Sequence, residues 1–339
     1  DNVNNAHPLK NIGRVKMSNL CTEILQLQQT SVITDQDQPN EYGMDVSCNL
    51  GSIDIYKATK VKDFDMLIDT AVRLLTNVSN MTHIKNVPSV TKANELMHSI
   101  GLGVMNLHGH LVTEGIRYGS KESIEFLDVF MEAVNYFSIK ASMEIAKETG
   151  ETFHRFADSD YANGEYFNRY TRKEKSILAP TVKKALGNVP IITKEMWNEL
   201  QRDVKKYGLY HAYRLAIAPT GSISYIRSST ASISPVTERV EIRDYADSRT
   251  IYPMPFLTNE NEHLYTEAYD INPYELIDLY AAAQQHVDQG ISMTLYVTDA
   301  WTTEQLAKVY IYAWTRGIKS VYYVRQRLQT LEECVACQI

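Results

Sequence analysis

Short apolar runs alternate with amphipathic helical patterns along this chain, and that alternation constrains the fold more than any other feature. Three strand-like runs occupy residues 211–218, 291–297 and 318–324, and a helical pattern over residues 302–314 separates the last two. Parallel neighbouring strands need a long crossover, which is usually a helix. The order therefore predicts a parallel α/β sheet or barrel.

The preceding part of the chain continues the pattern. Gly101 and Gly103 indicate close packing, Gly150 is predicted to cap a helix, and residues 155–194 are predicted to form an irregular insertion with short helices. Residues 1–45 are predicted to be loops around a short helical stretch at 23–29. The other predicted elements are a strand over residues 46–55 with a break at Gly51, and helices over residues 64–81, 90–111, 121–149 and 195–207.

Composition narrows the class of protein. With 339 residues, 44% of them hydrophobic, the chain has enough apolar surface for a sizeable core. A net charge of −7 disfavours a nucleic-acid groove or an anionic membrane surface as the main partner. No apolar run approaches the roughly 20 residues that span a bilayer. Four cysteines and a polar start favour a reducing cytoplasm.

Two of the cysteines, Cys334 and Cys337, form a Cys-x-x-Cys pair near the end of the sequence, in a segment after Leu328 that is predicted to be mobile. Such a pair closes a small disulfide loop at little entropic cost and exchanges readily with other dithiols. It therefore suggests an electron carrier. A zinc site needs four ligands, and Cys21 and Cys48 are far upstream, so no bound metal is expected.

Asn19, Cys21 and Glu23 alternate along the sequence. In an extended loop their side chains would point to one side, so that an amide, a thiol and a carboxylate would face one substrate. A thiol can form a radical or a thiolate, and a carboxylate can accept a hydroxyl proton. The alternative is a buried free cysteine beside a glutamate that starts a helix.

A hydroxyl-rich run follows the strand-like residues 211–218. Hydroxyls and a glycine at the carboxyl end of a strand suit a phosphate group, although the run is not a P-loop and could equally be an ordinary turn. The run consists of Pro219, Thr220, Gly221, Ser222, Ile223 and Ser224.

Tyr322 and Tyr323 are adjacent at the predicted end of the last strand. Two stacked phenols could relay an electron. Strand geometry sends neighbouring side chains to opposite faces, so stacking would require a bend in the chain. The alternative is one ring on each face of a sheet.

Taken in order, these motifs resemble the large catalytic subunit of class I ribonucleotide reductases, and most of all the class Ib branch of bacteria and their phages. The resemblance covers essentially the whole chain. It is carried by residues 17–24, 48–53, 100–104, 216–225, 252–257 and 317–323 and by the terminal Cys-x-x-Cys pair.

The resemblance implies the second half of a ten-stranded α/β barrel. Residues 1–45 would form the finger loop with the radical cysteine, residues 46–327 a five-stranded half-barrel with its helices, and residues 328–339 a flexible redox tail. The first five strands, the other active-site cysteine and the specificity site would belong to an N-terminal half. Five strands alone would leave a sheet edge exposed, so the chain is expected to be inactive without that half.

The resemblance also implies a thiyl-radical reduction of ribonucleoside diphosphates. Cys21 would abstract the ribose 3′ hydrogen, Glu23 would accept the 3′-hydroxyl proton, and Asn19 would hold the ribose hydroxyls. Cys48 would be one of two thiols that reduce the 2′ position.

Radical transfer and renewal of the thiols would use residues near the C-terminal end of the sequence. Tyr322 and Tyr323 would pass the radical from the small subunit to Cys21. Cys334 and Cys337 would reduce the active-site disulfide again. Residues 219–224 would hold the substrate diphosphate.

The implied partners follow from this chemistry. The chain would bind no cofactor directly, since a small subunit with a dimetal centre and a tyrosyl radical would supply the radical. A thioredoxin- or glutaredoxin-like protein would be the reductant, large subunits would pair as a dimer, and nucleotide effectors would bind mainly on the N-terminal half. A phage-encoded chain would work in the host cytoplasm. Two alternatives are a non-catalytic remnant that binds partner subunits and a simple thiol-disulfide oxidoreductase.

Overall fold

The computed structural model of the chain describes residues 1–34, 41–82, 84–172, 177–245 and 248–327. Helices and strands are both present, which confirms the predicted α/β class. The strands are β1 Leu50–Asp54, β2 Gly101–Met105, β3 Val240–Tyr245, β4 Ser248–Pro253, β5 Thr294–Thr298 and β6 Tyr323–Arg327. The helices are α1 Asn2–Asn5, α2 Ile55–Ala58, α3 Phe64–Met81, α4 Pro88–Met97, α5 Leu107–Thr113, α6 Lys121–Thr149, α7 Asp160–Asn163, α8 Asn168–Thr171, α9 Pro180–Leu186, α10 Lys194–Tyr207, α11 Gly221–Arg227, α12 Pro273–Gln284 and α13 Thr303–Thr315.

Parallel pairing joins five extended segments in chain order. Strands β1 and β2 pair in parallel, and so do β5 and β6. Isolated parallel bridges link Leu102 to Leu215 and Ile217 to Ile291, so the segment around residues 213–217 lies between the two pairs. The amide of Leu102 donates to the carbonyl of Arg214 at 2.8 Å. The five segments agree in number with the predicted five-stranded half-barrel, although residues 211–218 contribute isolated bridges in place of a continuous strand.

Two glycines permit the close approach of β2 to the segments on either side of it. A Cβ at Gly103 would lie 2.4 Å from the carbonyl oxygen of Ala216, and one at Gly101 would lie 2.5 Å from the Cδ2 atom of Leu50. The predicted close packing is confirmed. The single helix predicted over residues 90–111 is wrong, because α4, β2 and α5 occupy that range.

The long helix α6 lies against the apolar core. Its first turn is capped by Ser120, whose hydroxyl accepts the amide of Ser123, and its end is capped by Gly150 in the left-handed region at φ 74°. Phe64 of α3 contacts the rings of Phe130 and Phe137 of α6 with ring centroids 5.9 and 5.8 Å apart. Through α3, which also contacts β1 and β2, this helix pair packs against the first two parallel strands.

Three further predictions need correction or limits. Residues 23–29 are mostly buried and not helical, because the carbonyl of Glu23 accepts the amide of Gly290 and the backbone of Gln29 pairs with that of Met44. The predicted strand over residues 46–55 begins only at Leu50, and Gly51 lies inside β1 without a break. The predicted mobility of residues 328–339 falls outside the described residues.

The antiparallel pair β3 and β4 forms a separate hairpin. Among the helices in the described ranges, none combines the length and apolarity needed to cross a membrane.

Candidate functional site

The loop that carries Cys21 turns sharply. The amide of Thr22 donates to the carbonyl of Asn19 at 3.2 Å, and Thr22 adopts a left-handed conformation at φ 63°. A β-branched residue rarely adopts this conformation, so the loop must be held by surrounding contacts. The side chain of Asn19 accepts the amide of Ile24 at 3.1 Å. The predicted extended alternation of Asn19, Cys21 and Glu23 is therefore wrong in geometry.

Three consecutive carbonyls of this loop accept hydrogen bonds from the C-terminal part of the chain. The hydroxyl of Ser292 donates to the carbonyl of Cys21 at 2.6 Å, and the hydroxyl of Ser320 donates to that of Thr22 at 3.0 Å. The amide of Gly290 donates to the carbonyl of Glu23 at 2.8 Å. These bonds fix the loop against the segments that lead into β5 and β6.

The turn still brings the predicted side chains together. The thiol of Cys48 interacts electrostatically with Glu23 and Cys21, and the side chain of Asn19 is close enough to affect its pKa. Partial desolvation of the Cys48 thiol raises its pKa, the negative charges of Glu23 and of the Cys21 thiolate raise it further, and the amide of Asn19 opposes them. Glu23 itself is buried. An amide, a carboxylate and two thiols thus share one small region.

Tyr322 connects this region to the surface. The thiol of Cys21 lies 3.6 Å from the hydroxyl of Tyr322. The rings of Tyr322 and Tyr323 are stacked, with centroids 3.8 Å apart and planes 29° apart, and Tyr323 is half exposed. The pair lies at the start of β6, not at the end of a strand, and Tyr322 precedes the strand, which allows both rings to face one side. The alternative of one ring on each face is excluded.

The hydrogen bonds of Tyr322 affect its chemistry. Contacts with Tyr323 first, and then with Cys21, raise the pKa of the Tyr322 hydroxyl above its usual value. The group is therefore a neutral phenol near pH 7. Oxidation of a neutral phenol releases a proton together with the electron, and the neighbouring hydroxyl and sulfur are positioned to exchange that proton.

The run at 219–224 follows the third parallel segment. Thr220 has a left-handed backbone at φ 50°, and α11 begins at Gly221. The residues lining the adjacent cavity of about 150 Å³ include Thr220, Gly221, Ser222, Ile223 and the strand residues Leu50 to Ser52. The hydroxyl of Thr220 accepts the amide of Ser232 at 2.7 Å, and that of Ser224 donates to the carbonyl of Gly221 at 2.8 Å. These two hydroxyls therefore hold the loop, while Ser222 is exposed.

The sequence patterns missed Ser292, Ser320 and Gly290. Each is a small residue in or next to a strand-like run, and no local motif marks it. Gly290 alone carried a usable signal, because a glycine beside a strand can mark a close backbone approach. In the structure, a Cβ there would lie 2.4 Å from the carbonyl oxygen of Thr22. Cys334 and Cys337 lie outside the described residues.

Comparisons with known proteins agree with the fold. Residues 1–324 match the family described as ribonucleotide reductase, barrel domain. The chain is 46% identical over 339 residues to the ribonucleoside-diphosphate reductase subunit alpha of Bacillus subtilis (strain 168), a match that covers 100% of this chain and 48% of that protein.

Two further relatives show the same pattern. The ribonucleoside-diphosphate reductase nrdEB subunit alpha of Bacillus phage SPbeta is 48% identical over 319 residues, covering 94% of this chain and 29% of that protein. The ribonucleoside-diphosphate reductase subunit alpha of Mycoplasma pneumoniae is 41% identical over 359 residues, covering 100% of this chain and 49% of that protein. The chain spans half or less of the length of these relatives. Because residues 1–324 match the family model, this chain belongs to the ribonucleotide reductase barrel-domain family.

Proposed function

We propose that this chain is a catalytic component of a ribonucleoside-diphosphate reductase, which converts ribonucleoside diphosphates to 2′-deoxyribonucleoside diphosphates for DNA synthesis. One observation carries the proposal: the thiol of Cys21 contacts Tyr322, which stacks on the half-exposed Tyr323. A radical generated elsewhere can enter at the surface and reach a half-buried thiol along these three groups.

The side chains around Cys21 suit the remaining steps. The Cys21 radical would abstract the ribose 3′ hydrogen atom, and the Glu23 carboxylate would accept the 3′-hydroxyl proton. Asn19 would hold the ribose hydroxyls. Cys48 would supply one of the two thiols that reduce the 2′ position. Its proximity to Glu23 and Cys21 supports this role.

The remaining site residues bind substrate and renew the thiols. The loop at 219–224 would hold the diphosphate through its backbone amides, beside the cavity described above. Cys334 and Cys337 would reduce the active-site disulfide and would themselves be reduced by a thioredoxin- or glutaredoxin-like protein.

The working assembly would contain further chains. A small subunit with a dimetal centre and a tyrosyl radical would dock near Tyr323. An N-terminal half would supply the second active-site cysteine, the effector sites and contacts for a dimer of large subunits. This assembly would act in the cytoplasm.

A reconstitution assay tests the proposal. Diphosphate reduction is measured with this chain and the small subunit, in the presence and absence of an N-terminal half of a large subunit; the three parts together are termed the reconstituted reductase. We expect turnover only from the reconstituted reductase. Turnover by this chain and the small subunit alone would contradict the need for the N-terminal half.

Two sets of variants separate this function from its alternatives. A non-catalytic remnant would tolerate Cys21→Ser in the reconstituted reductase, whereas a catalytic chain would lose all reduction. A simple thiol-disulfide oxidoreductase would lose disulfide exchange on replacement of Cys334 or Cys337 by Ser. The proposed reductase with those replacements would retain a single turnover driven by a small external dithiol and would lose repeated turnover with the protein reductant.

A further inference from the structure

The hydroxyl of Ser292 lies between the backbone of Cys21 and the carboxylate of Glu23. It is 2.6 Å from the carbonyl oxygen of Cys21 and 3.1 Å from Oε2 of Glu23. Ser292 is almost completely buried. Neither the radical relay nor the substrate contacts proposed above require this residue.

A serine hydroxyl has one proton and can donate it to one acceptor at a time. An ionised carboxylate accepts a stronger hydrogen bond than a neutral carbonyl. When Glu23 is charged, the Ser292 hydroxyl therefore donates preferentially to the carboxylate. When Glu23 has accepted a proton, the carbonyl of Cys21 becomes the better acceptor.

The second serine at this loop makes a simpler contact. Ser320 donates to the carbonyl of Thr22 at 3.0 Å. It helps to hold the left-handed Thr22, and within the described part of the chain its hydroxyl bonds to Thr22 and not to Glu23. Ser320 is therefore a natural control, because it holds the same loop without sensing the charge of the carboxylate.

We propose that Ser292 is a positioning residue that links the protonation of Glu23 to the hydrogen bond that Ser292 donates to the Cys21 carbonyl. The inference rests on the proposed function, since it assigns Ser292 a role in the same site. In the proton step, the O–H bond of the substrate 3′-hydroxyl breaks and an O–H bond forms on Glu23. The Ser292 hydroxyl then rotates to the Cys21 carbonyl and tightens the loop while the radical is on the substrate.

The titratable groups around Glu23 determine how a profile of turnover against pH is interpreted. Among the described residues, the thiols of Cys21 and Cys48 interact with this region, and the phenol of Tyr322 lies beyond Cys21. The buried amine of Lys319, next to Ser320, donates to the carbonyl of Gln289 at 2.8 Å. The backbone amide of Gly290 faces the loop from the segment before β5. Ser292 contacts the carboxylate of Glu23 directly, so a shift of the acidic limb caused by Ser292→Ala is assigned to Glu23.

The test compares Ser292→Ala with Ser320→Ala in the reconstituted reductase, using turnover against pH. Ser292→Ala removes a donor to the ionised carboxylate, so we expect its acidic limb to move upward by about one pH unit. Ser320→Ala should lower turnover across the profile and leave the limb in place. Ser292→Cys, which keeps a weak donor, should give a smaller upward shift, and it provides the readout if the alanine variant does not fold.

An acidic limb in Ser292→Ala and Ser292→Cys that matches the unsubstituted reductase would overturn the inference. An equal shift of the acidic limb in Ser320→Ala would also overturn it, because weaker attachment of the loop would then explain the effect. Cys21→Ser separates this result from the proposed function: if that variant retains turnover, the proposed function itself fails.

Discussion

The thiol of Cys21 lies 3.6 Å from the hydroxyl of Tyr322, although 301 positions separate the two residues in the sequence. The contact exists because the loop that carries Cys21 is bonded to the segment before β6, where Ser320 holds the carbonyl of Thr22. The site is therefore assembled by tertiary packing and is absent until both ends of the described fold are in place.

The tyrosine pair should be required for turnover. Replacing either Tyr322 or Tyr323 by Phe keeps the ring and removes the phenol that loses a proton with its electron. In the reconstituted reductase, we expect turnover to fall by at least about 100-fold, equivalent to about 2.7 kcal/mol, with substrate binding unchanged. Tyr310→Phe is the matched control, because Tyr310 is also partly exposed and lies on α13 instead of in the stacked pair. Normal turnover by Tyr322→Phe would contradict the relay.

Glu23 should slow alkylation of Cys48. The negative charge of Glu23 contributes to the raised pKa of the Cys48 thiol, and only the thiolate reacts with iodoacetamide. Glu23→Gln removes this charge, lowers the pKa and increases the thiolate fraction at pH 8. We expect alkylation of the Cys48 peptide to become several-fold faster, as measured by mass spectrometry. Glu41→Gln, an exposed position, should not change the rate.

Asn19 should have the opposite effect in the same assay. Its side chain opposes the rise in the pKa of the Cys48 thiol. Asn19→Ala should therefore slow alkylation at pH 8. If both the Glu23 and the Asn19 variants were alkylated at the rate of the unsubstituted chain, neither side chain would contact the thiol.

The loop at 219–224 can be tested with two carboxylates on one helix. Ile223 lines the cavity beside the loop, whereas Ile226 of the same helix is 88% exposed and does not line it. Ile223→Asp should repel a diphosphate and raise the KM for substrate at least about tenfold, equivalent to about 1.4 kcal/mol. Ile226→Asp should have little effect. Equal changes in both variants would indicate a general charge effect and not a binding site.

The parallel packing at β2 can be tested by unfolding. Ala at Gly103 would place Cβ 2.4 Å from a backbone carbonyl that cannot move independently, so we expect a loss of about 1–3 kcal/mol in the free energy of unfolding. Gly221→Ala is the control, since nothing lies within 4 Å of a Cβ there. Urea denaturation of the two variants measures the difference. Unchanged stability of Gly103→Ala would contradict the close approach of β2 to the segment at 213–217.

The sequence predicted the bounds of helices correctly where helical periodicity and capping residues agree. Both α3 Phe64–Met81 and α6 Lys121–Thr149 have the predicted bounds, because their apolar residues repeat at helical spacing and capping residues mark their ends. β2 was hidden inside a predicted helix. All five of its residues are buried, and a fully buried strand has no alternation to distinguish it from a buried helix.

The site was predictable in residue type but not in geometry. Motif order placed Cys21, Glu23 and Tyr322 in one proposed mechanism, whereas the turn at Thr22 and the stacked rings depend on contacts between distant segments. Residues 23–29 show the same limit. Their non-helical backbone is held partly by the amide of Leu27, which donates to the hydroxyl of Tyr213 at 3.1 Å, and no local pattern encodes that partner.

The most direct test of the proposed chemistry is a single-turnover measurement on Cys21→Ser in the reconstituted reductase, with a small dithiol as reductant. The readout is deoxyribonucleoside diphosphate formed per active site, and substrate binding is measured in parallel to show that the site is intact. The proposed mechanism predicts product from the unsubstituted reductase and none from Cys21→Ser, because an oxygen in place of sulfur cannot form the thiyl radical. Product formation by Cys21→Ser would contradict the central role of this thiol.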